Sequence, residues 1–478
     1  MKKKLISGLL VLSMLCSMLV GCSTKQEENK DTTKQTEKTS QESSSQESST
    51  EQESEKGISG ELQLAIFQGG YGVDYWETMI QKFEEKYPNV TVKAEINPKI
   101  GEMIRPRIIA GDVPDLISLN YLGEPSGLIT GLVKDKALLD LTDLFEEMAL
   151  DKDIKLKDLI LPGILESPAH SPYGDGKIYL APFSTAPAGL IYNKTLFEEK
   201  GWENPTTWDE FFALNEEAKK DGRSLYTFPG LYPGYSNSMF LPALANHIGL
   251  DNLYKIFNYE PGSFSTPEVK EVLEQFARLG KEGMLPGTVG MNHTQSQSEM
   301  MLGKSLFISN GTWIENEMKD APREGDDAFA FAMNPSLKME DGEMVNVMAS
   351  TEQLSIPANA KNPEAAKEFI KFIYSDESVK LFGEKANGLI AVKGGVDLIS
   401  EYITPSMCNM LLVLEQEDVN LFAQGYKAPP VNSKFNYMDV LFAKGLIPLY
   451  NGEITVDEYC EHVEKAFQEV QEEYSKAE

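Results

Sequence analysis

The chain has 478 residues, with 44 Lys or Arg against 74 Asp or Glu and a formal net charge of -30. So acidic a surface repels phosphate backbones and anionic headgroups, which argues against nucleic acid or a charged lipid face as the ligand. The residues from Gly57 onward exceed the length at which a single core tends to split, so two lobes are expected.

Lys2, Lys3 and Lys4 precede an uncharged run, Leu5 to Val20, too short for a comfortable bilayer-spanning helix, which is how a signal peptide is built. The four residues Leu19-Val20-Gly21-Cys22 resemble the lipobox of bacterial lipoproteins, in which diacylglycerol is attached to the cysteine sulfur before cleavage. On that resemblance residues 1–21 are a signal peptide. Cys22 is then the lipidated first residue, anchored on the extracytoplasmic face of the membrane. Ser23 to Lys56 contains no aromatic and no aliphatic side chain, so it has nothing to bury against the entropy of ordering and reads as a disordered tether within 22–57.

The body opens with "ELQLAIF", where Leu62, Leu64 and Ile66 alternate as in a strand. Trp76, Met79, Ile80, Phe83 and Tyr87 then fall at helical spacing, Pro88 stops the run, and "VTV" starts another strand. "PDLISL" reads as a buried strand. In "TWDEFFALNEEAKKDG", Thr207 and Glu210 predict a capping box, Phe211, Leu214 and Ala218 share a face, and Gly222 ends the helix. Thr266-Pro267 and Asn362-Pro363 start two more helices, and Thr455 with Glu458 caps a last one whose stripe is Val456, Val463, Phe467, Val470 and Tyr474. The alternation predicts an α/β architecture with helices on both faces of mainly parallel sheets and a ligand cleft beyond the strand ends. Cys408 and Cys460 carry no metal spacing; they either pair or stay as buried thiols.

From Leu180 the chain reads "LAPFSTAPAGLIYNKTLFEEKGWENPTTWDEFFALNEEAKKDG". With "LGKSLFISNGTWIENEM" and "IPANAKNPEAAKEFIKFI" further on, this resembles family 1 of the extracellular solute-binding proteins of ABC importers, the maltose-binding-protein-like sugar receptors. The matching segments are Ile191-Tyr192-Asn193-Lys194, Thr207-Trp208-Asp209-Glu210 and the Asn310-Gly311-x-Trp313 turn. The resemblance implies a two-lobe, type II periplasmic-binding-protein-like fold with a hinge of crossing strands. It places lobe 1 at 58–182 and 335–402, and lobe 2 at 183–334 and 403–478. It implies a monomeric binding protein without chemistry of its own, which closes on an oligosaccharide or amino sugar and hands it to the transmembrane subunits of an ABC permease driven by a cytoplasmic ATPase. No cofactor and no metal is expected.

The same resemblance gives Trp313 the role of an aromatic stacked on a pyranose ring; a core tryptophan is the alternative. The turn "QGGYGVDYW" offers Tyr71 and Asp74 as hydrogen-bonding groups, with Asp74 otherwise a helix cap. "SLNYLGEPSG" offers Asn120, Tyr121 and Glu124, the last otherwise a solvated acid. "LYPGYSNS" supplies Tyr232, Tyr235 and Asn237 as a second wall, and "MASTEQL" brings Ser350, Thr351 and Glu352 near the hinge. Thr185-Ala186 replaces the acidic residue of maltose-binding protein at the crossing, which leaves room for a bulkier group such as N-acetyl.

The sequence holds no Gly-x-Ser-x-Gly, His-Glu-x-x-His or phosphate loop, and His170, His247, His293 and His462 stand apart. A lipid-anchored glycosidase needs only two facing carboxylates, so that alternative stays open at this point, as does a surface adhesin, which needs no hinge.

Overall fold

The computed structural model describes residues 57–121, 126–416, 419–430 and 432–477. Cys22, the tether and Glu124 lie outside them. Ten strands form one sheet: β1 (Gly60–Phe67), β2 (Val90–Asn97), β3 (Leu116–Ser118), β4 (Ala181–Asn193), β5 (Ser224–Thr227), β6 (Ser305–Gly311), β7 (Phe331–Asn334), β8 (Val345–Ser355), β9 (Leu389–Ile390) and β10 (Val419–Phe422). Their order is β2-β1-β3-β8-β4-β6-β5, with β10 on β8 and both β7 and β9 on β4.

The first unit follows the expected logic. Leu62, Leu64 and Ile66 of β1 are buried, and the helix Asp74–Lys86 covers them with Tyr75, Trp76, Met79 and Phe83. β2 then returns parallel to β1, as a helical crossover requires. The sheet as a whole is mixed rather than mainly parallel. β4 and β8 run antiparallel, Thr185 opposite Thr351 and Ala186 opposite Ser350, and β4 is also antiparallel to β6, β7 and β9. The reason is connectivity: one long strand leaves the β1–β3 side and the other comes back, so the pair that joins the two halves has opposite directions.

Three buried clusters result. One gathers Leu64, Trp76, Phe83, Phe183, Phe369 and Phe382. A second gathers Phe211, Phe240, Phe276, Phe307, Tyr459 and Phe467 on the β5–β6 side. A smaller one, with Ile104, Ile129 and Leu180, lies under the helices Ile100–Ile109 and Leu128–Lys134. In the second cluster Trp208 meets Phe276 edge-on at 5.1 Å and Phe240 meets it at 5.2 Å, the tilted geometry aromatic rings prefer.

The caps hold as read. Thr207 Oγ1 accepts from Glu210 N while Glu210 accepts from Thr207 N, and Thr455 with Glu458 does the same. Each such cap stabilises its helix by about 1 kcal/mol. Thr266 and Asn362 cap helices that begin at Pro267 and Pro363. In the last helix Val463, Phe467 and Val470 are buried, Val456 and Tyr474 only partly, and Tyr459 and Cys460 join the stripe. Cys408 and Cys460 are both free thiols, and burial pushes the Cys460 thiol up to about 11.

Candidate functional site

A cavity of about 680 Å³ opens at the carboxyl end of β6, beside the turn that follows β5. β6 ends at Asn310-Gly311, and a short helix starts at Trp313. Gly311 is required here, because a Cβ at that position would sit 2.1 Å from the Trp313 ring. Without it the indole folds back over the strand end and presents itself half-buried to the cavity. Its Nε1 is buried and makes no hydrogen bond of ordinary geometry among the described residues, although it lies close enough to the Tyr235 hydroxyl to oppose the burial-driven rise of that group's pKa.

The opposite wall comes from a 3-10 turn, Pro233–Ser236, which runs into the helix Asn237–Ile248. Tyr235 meets Trp313 edge-on, with centroids 6.3 Å apart and planes at 81°. Asn237 is 3% exposed, and its Oδ1 is buried without a partner. Tyr232 is exposed at the mouth and stacks on His293 at 4.2 Å. Ser350 of β8 closes the floor, so five of the expected residues, Tyr232, Tyr235, Asn237, Ser350 and Trp313, line one cavity.

Four further polar or aromatic lining residues escaped the sequence reading: His293, Gln424, Tyr437 and Asp439. His293 stood apart in sequence and arrives here only because its helix starts beside the tyrosine turn. Tyr437 precedes a π-helix, Met438–Leu446, a rare geometry that recurs at functional sites and the one local signal that marks this segment. Burial lowers the His293 pKa, so the ring is neutral at pH 7. Burial raises the Tyr235 hydroxyl pKa, with the Glu317 charge adding to it, and burial likewise raises that of Glu317, whose carboxylate accepts from Gln297 Nε2 at 2.7 Å. The cavity is therefore rich in aromatic faces and neutral hydrogen-bonding groups, with Asp439, held by Lys444 at 3.2 Å, as the only carboxylate on its wall among the described residues. That set suits a polyhydroxylated, weakly charged ring: aromatic faces for the C–H side and unpartnered amide and indole groups for the hydroxyl edge.

The other expected residues sit elsewhere. Tyr71 shares a closed pinch with Thr185 and Trp313 but packs on Phe382 at 4.8 Å. Burial raises its pKa strongly, the Glu352 charge adding to the shift. Glu352, on β8, is pushed up to about 7 by burial, with Ser184 opposing. Thr351 Oγ1 is 3.0 Å from His170 Nε2 and 3.2 Å from Gln353 Nε2, inside the crossing rather than on the cavity. Asp74 is exposed at the first position of its helix, and the N-cap, Val73, makes no side-chain bond, so it neither lines the cavity nor caps. Asn120 is half-buried at the end of β3 and lines neither cavity. Tyr121 lines a second cavity, of about 320 Å³, that shares Tyr437 and Met438 with the first. Among the described residues no group of His, Cys, Asp and Glu could hold a metal ion, and no helix is long and apolar enough to cross a membrane.

Known proteins resemble this chain over most of its length. It is 27% identical over 427 residues to the diacetylchitobiose binding protein NgcE of Streptomyces coelicolor, which covers 88% of this chain and 87% of the relative. The multiple sugar-binding protein of Streptococcus mutans is 26% identical over 66% of this chain and 71% of its own. The solved apo-form of RafE from Streptococcus pneumoniae superposes with a TM-score of 0.64 at 19% identity, covering 86% of this chain and 98% of that one, so the two-lobe type II fold is shared. The model of the family described as bacterial extracellular solute-binding protein matches residues 69–380, well over half of the chain, and the chain belongs to that family.

Proposed function

We propose that the protein is the extracytoplasmic substrate-binding component of an ABC importer, which captures an oligosaccharide or amino sugar and delivers it unchanged to the permease. The observation that carries this reading is the cavity itself: Trp313 and Tyr235 stand as aromatic walls, and the orphaned Trp313 Nε1 and Asn237 Oδ1 wait for polar partners. Buried polar atoms rarely stay unpaired, and a sugar's hydroxyls supply what these lack. The diacetylchitobiose named for NgcE favours an N-acetylated sugar.

Cys22 carries the lipid anchor in this reading, the tether spaces the body from the membrane, and the protein acts as a monomer. The lobes are 58–182 with 335–402 and 183–334 with 403–478, and they close by rotation about β4 and β8.

Calorimetric titration with N,N′-diacetylchitobiose tests the reading. The expected result is a dissociation constant near micromolar, about -8 kcal/mol, with the sugar recovered intact. Release of reducing ends, or no binding of any neutral saccharide in a thermal-shift panel, overturns it.

A further inference from the structure

We infer that the second cavity receives an acidic group, a carboxylate carried by the sugar ligand itself, so that the full ligand is an oligosaccharide with a hexuronate beside a neutral or N-acetylated ring. This rests on the sugar-binding reading above. The cavity is walled by Tyr121 and Lys134 from the β3 side and by Tyr426, Lys427, Asn436 and Tyr437 from the other. Among the described residues no Asp or Glu lines it.

Neither lysine has a carboxylate at ion-pair distance among the described residues. Lys427 Nζ instead lies 4.3 Å from the ring centroid of Tyr474, whose hydroxyl donates to Ala428 O at 2.5 Å. Lys134 sits in the last turn of its helix. Lys134 and Lys427 are both half-buried residues on this one small cavity, where a bound anion would give their ammonium groups a partner. The hydroxyl of Tyr426, a residue 1% exposed, is buried there without a partner, and Tyr437 stacks on the Tyr426 ring at 4.1 Å. Ammonium groups and a free hydroxyl make a donor set, and a carboxylate is acceptor-only.

The first cavity has the opposite character: among the described residues Asp439 lines it and no Lys or Arg does. Because Tyr437 and Met438 belong to both walls, a ligand that fills the first with a neutral ring continues directly into the second. Tyr121 and Lys134 then meet the acid from one side of the crossing strands while Lys427 meets it from the other, so the charged ring also bridges the two halves.

Calorimetry on the purified protein compares a glucuronate–N-acetylglucosamine disaccharide with N,N′-diacetylchitobiose. The uronate disaccharide should bind at least about tenfold tighter, and Lys134→Gln and Lys427→Gln should each remove about tenfold of that affinity, the range for a charge-assisted hydrogen bond. Both variants should keep the melting temperature and the chitobiose affinity of the parent. Equal affinities for the two disaccharides, or lysine variants without effect, overturn this inference and leave the sugar reading standing. If added acetate tightens chitobiose binding to the level of the uronate disaccharide, the cavity takes a free anion and the inference fails. Binding of neither disaccharide overturns both readings.

Discussion

The cavity and the crossing strands are adjacent, yet the polar side chains at their centres are paired to different degrees. At the crossing, His170 is fully buried and both ring nitrogens are engaged, Nδ1 with Leu180 O at 2.7 Å and Nε2 with Thr351 Oγ1. Gln353 accepts from Tyr121 N at 2.9 Å and donates to Thr351 O at 2.7 Å. At the cavity, Trp313 Nε1 and Asn237 Oδ1 are left open. Among the described residues of the crossing strands Thr185 Oγ1 on β4 and Asn346 Oδ1 and Ser355 Oγ on β8 are unpaired too, Thr185 on the pinch that Trp313 also lines. Unpaired atoms occur in the packed core too, Trp208 Nε1 and Tyr450 Oη among them, so an orphan points to a ligand only where its residue also lines a cavity, as Trp313 and Asn237 do.

The largest test of this contrast is His170→Ala. It deletes a buried ring and strands two partners, so it should lower unfolding free energy in denaturant by about 3 kcal/mol while the folded fraction keeps its sugar affinity. Loss of affinity at an unchanged stability would erase the distinction. Trp313→Ala should do the reverse, costing about 2 kcal/mol of affinity, by analogy with a base stacked on an aromatic ring, at a nearly constant melting temperature. Asn237→Ala is the finer version: with Oδ1 already unpaired in the free protein, stability should hardly change while affinity falls by about 1 kcal/mol.

The smallest effect is a pair of opposed pH dependences. Burial lowers the His170 pKa to about 4, so its contribution to stability is complete above the ordinary histidine value and is lost as pH falls toward 4, where the unfolded chain holds the extra proton. His247, clamped between Glu343 and Glu271 at 2.8 Å each, is raised instead, the carboxylate bonds outweighing burial, which alone would lower it. Its contribution is complete below the ordinary value and fades as pH rises through the folded one. Melting temperature against pH should therefore lose its decline above the ordinary histidine value in His247→Gln, with the acid side unchanged, and flatten on the acid side in a folded His170 variant such as His170→Gln.

What the sequence made legible was local. The Thr207–Glu210 and Thr455–Glu458 boxes pair residues three positions apart, and Gly311 and Trp313 are two apart, so the physics that fixes them is written in neighbouring letters. The antiparallel pairing of β4 with β8 joins residues more than 150 positions apart and follows from chain routing, which no short window records. His293, Gln424, Tyr437 and Asp439 were missed for the same reason: each is ordinary in its own segment and gains its place only when three separate turns converge. Tyr71, Thr351 and Glu352 were read from their position near strand ends, but the side chains turn into the crossing and its neighbouring pinch.

β4 carries Pro182 and Pro187 within a strand whose every residue is buried, and its register slips between Pro182 and Thr185. Proline has no amide hydrogen, so the ladder toward neighbouring strands is missing a rung on either side of the Thr185–Ala186 step. In mechanical terms this segment is a flexure: stiff along its length, because it is extended and packed, and compliant in bending over the few residues between two weakened points. Strain imposed by a closing ligand would concentrate there and spare the cores on both sides.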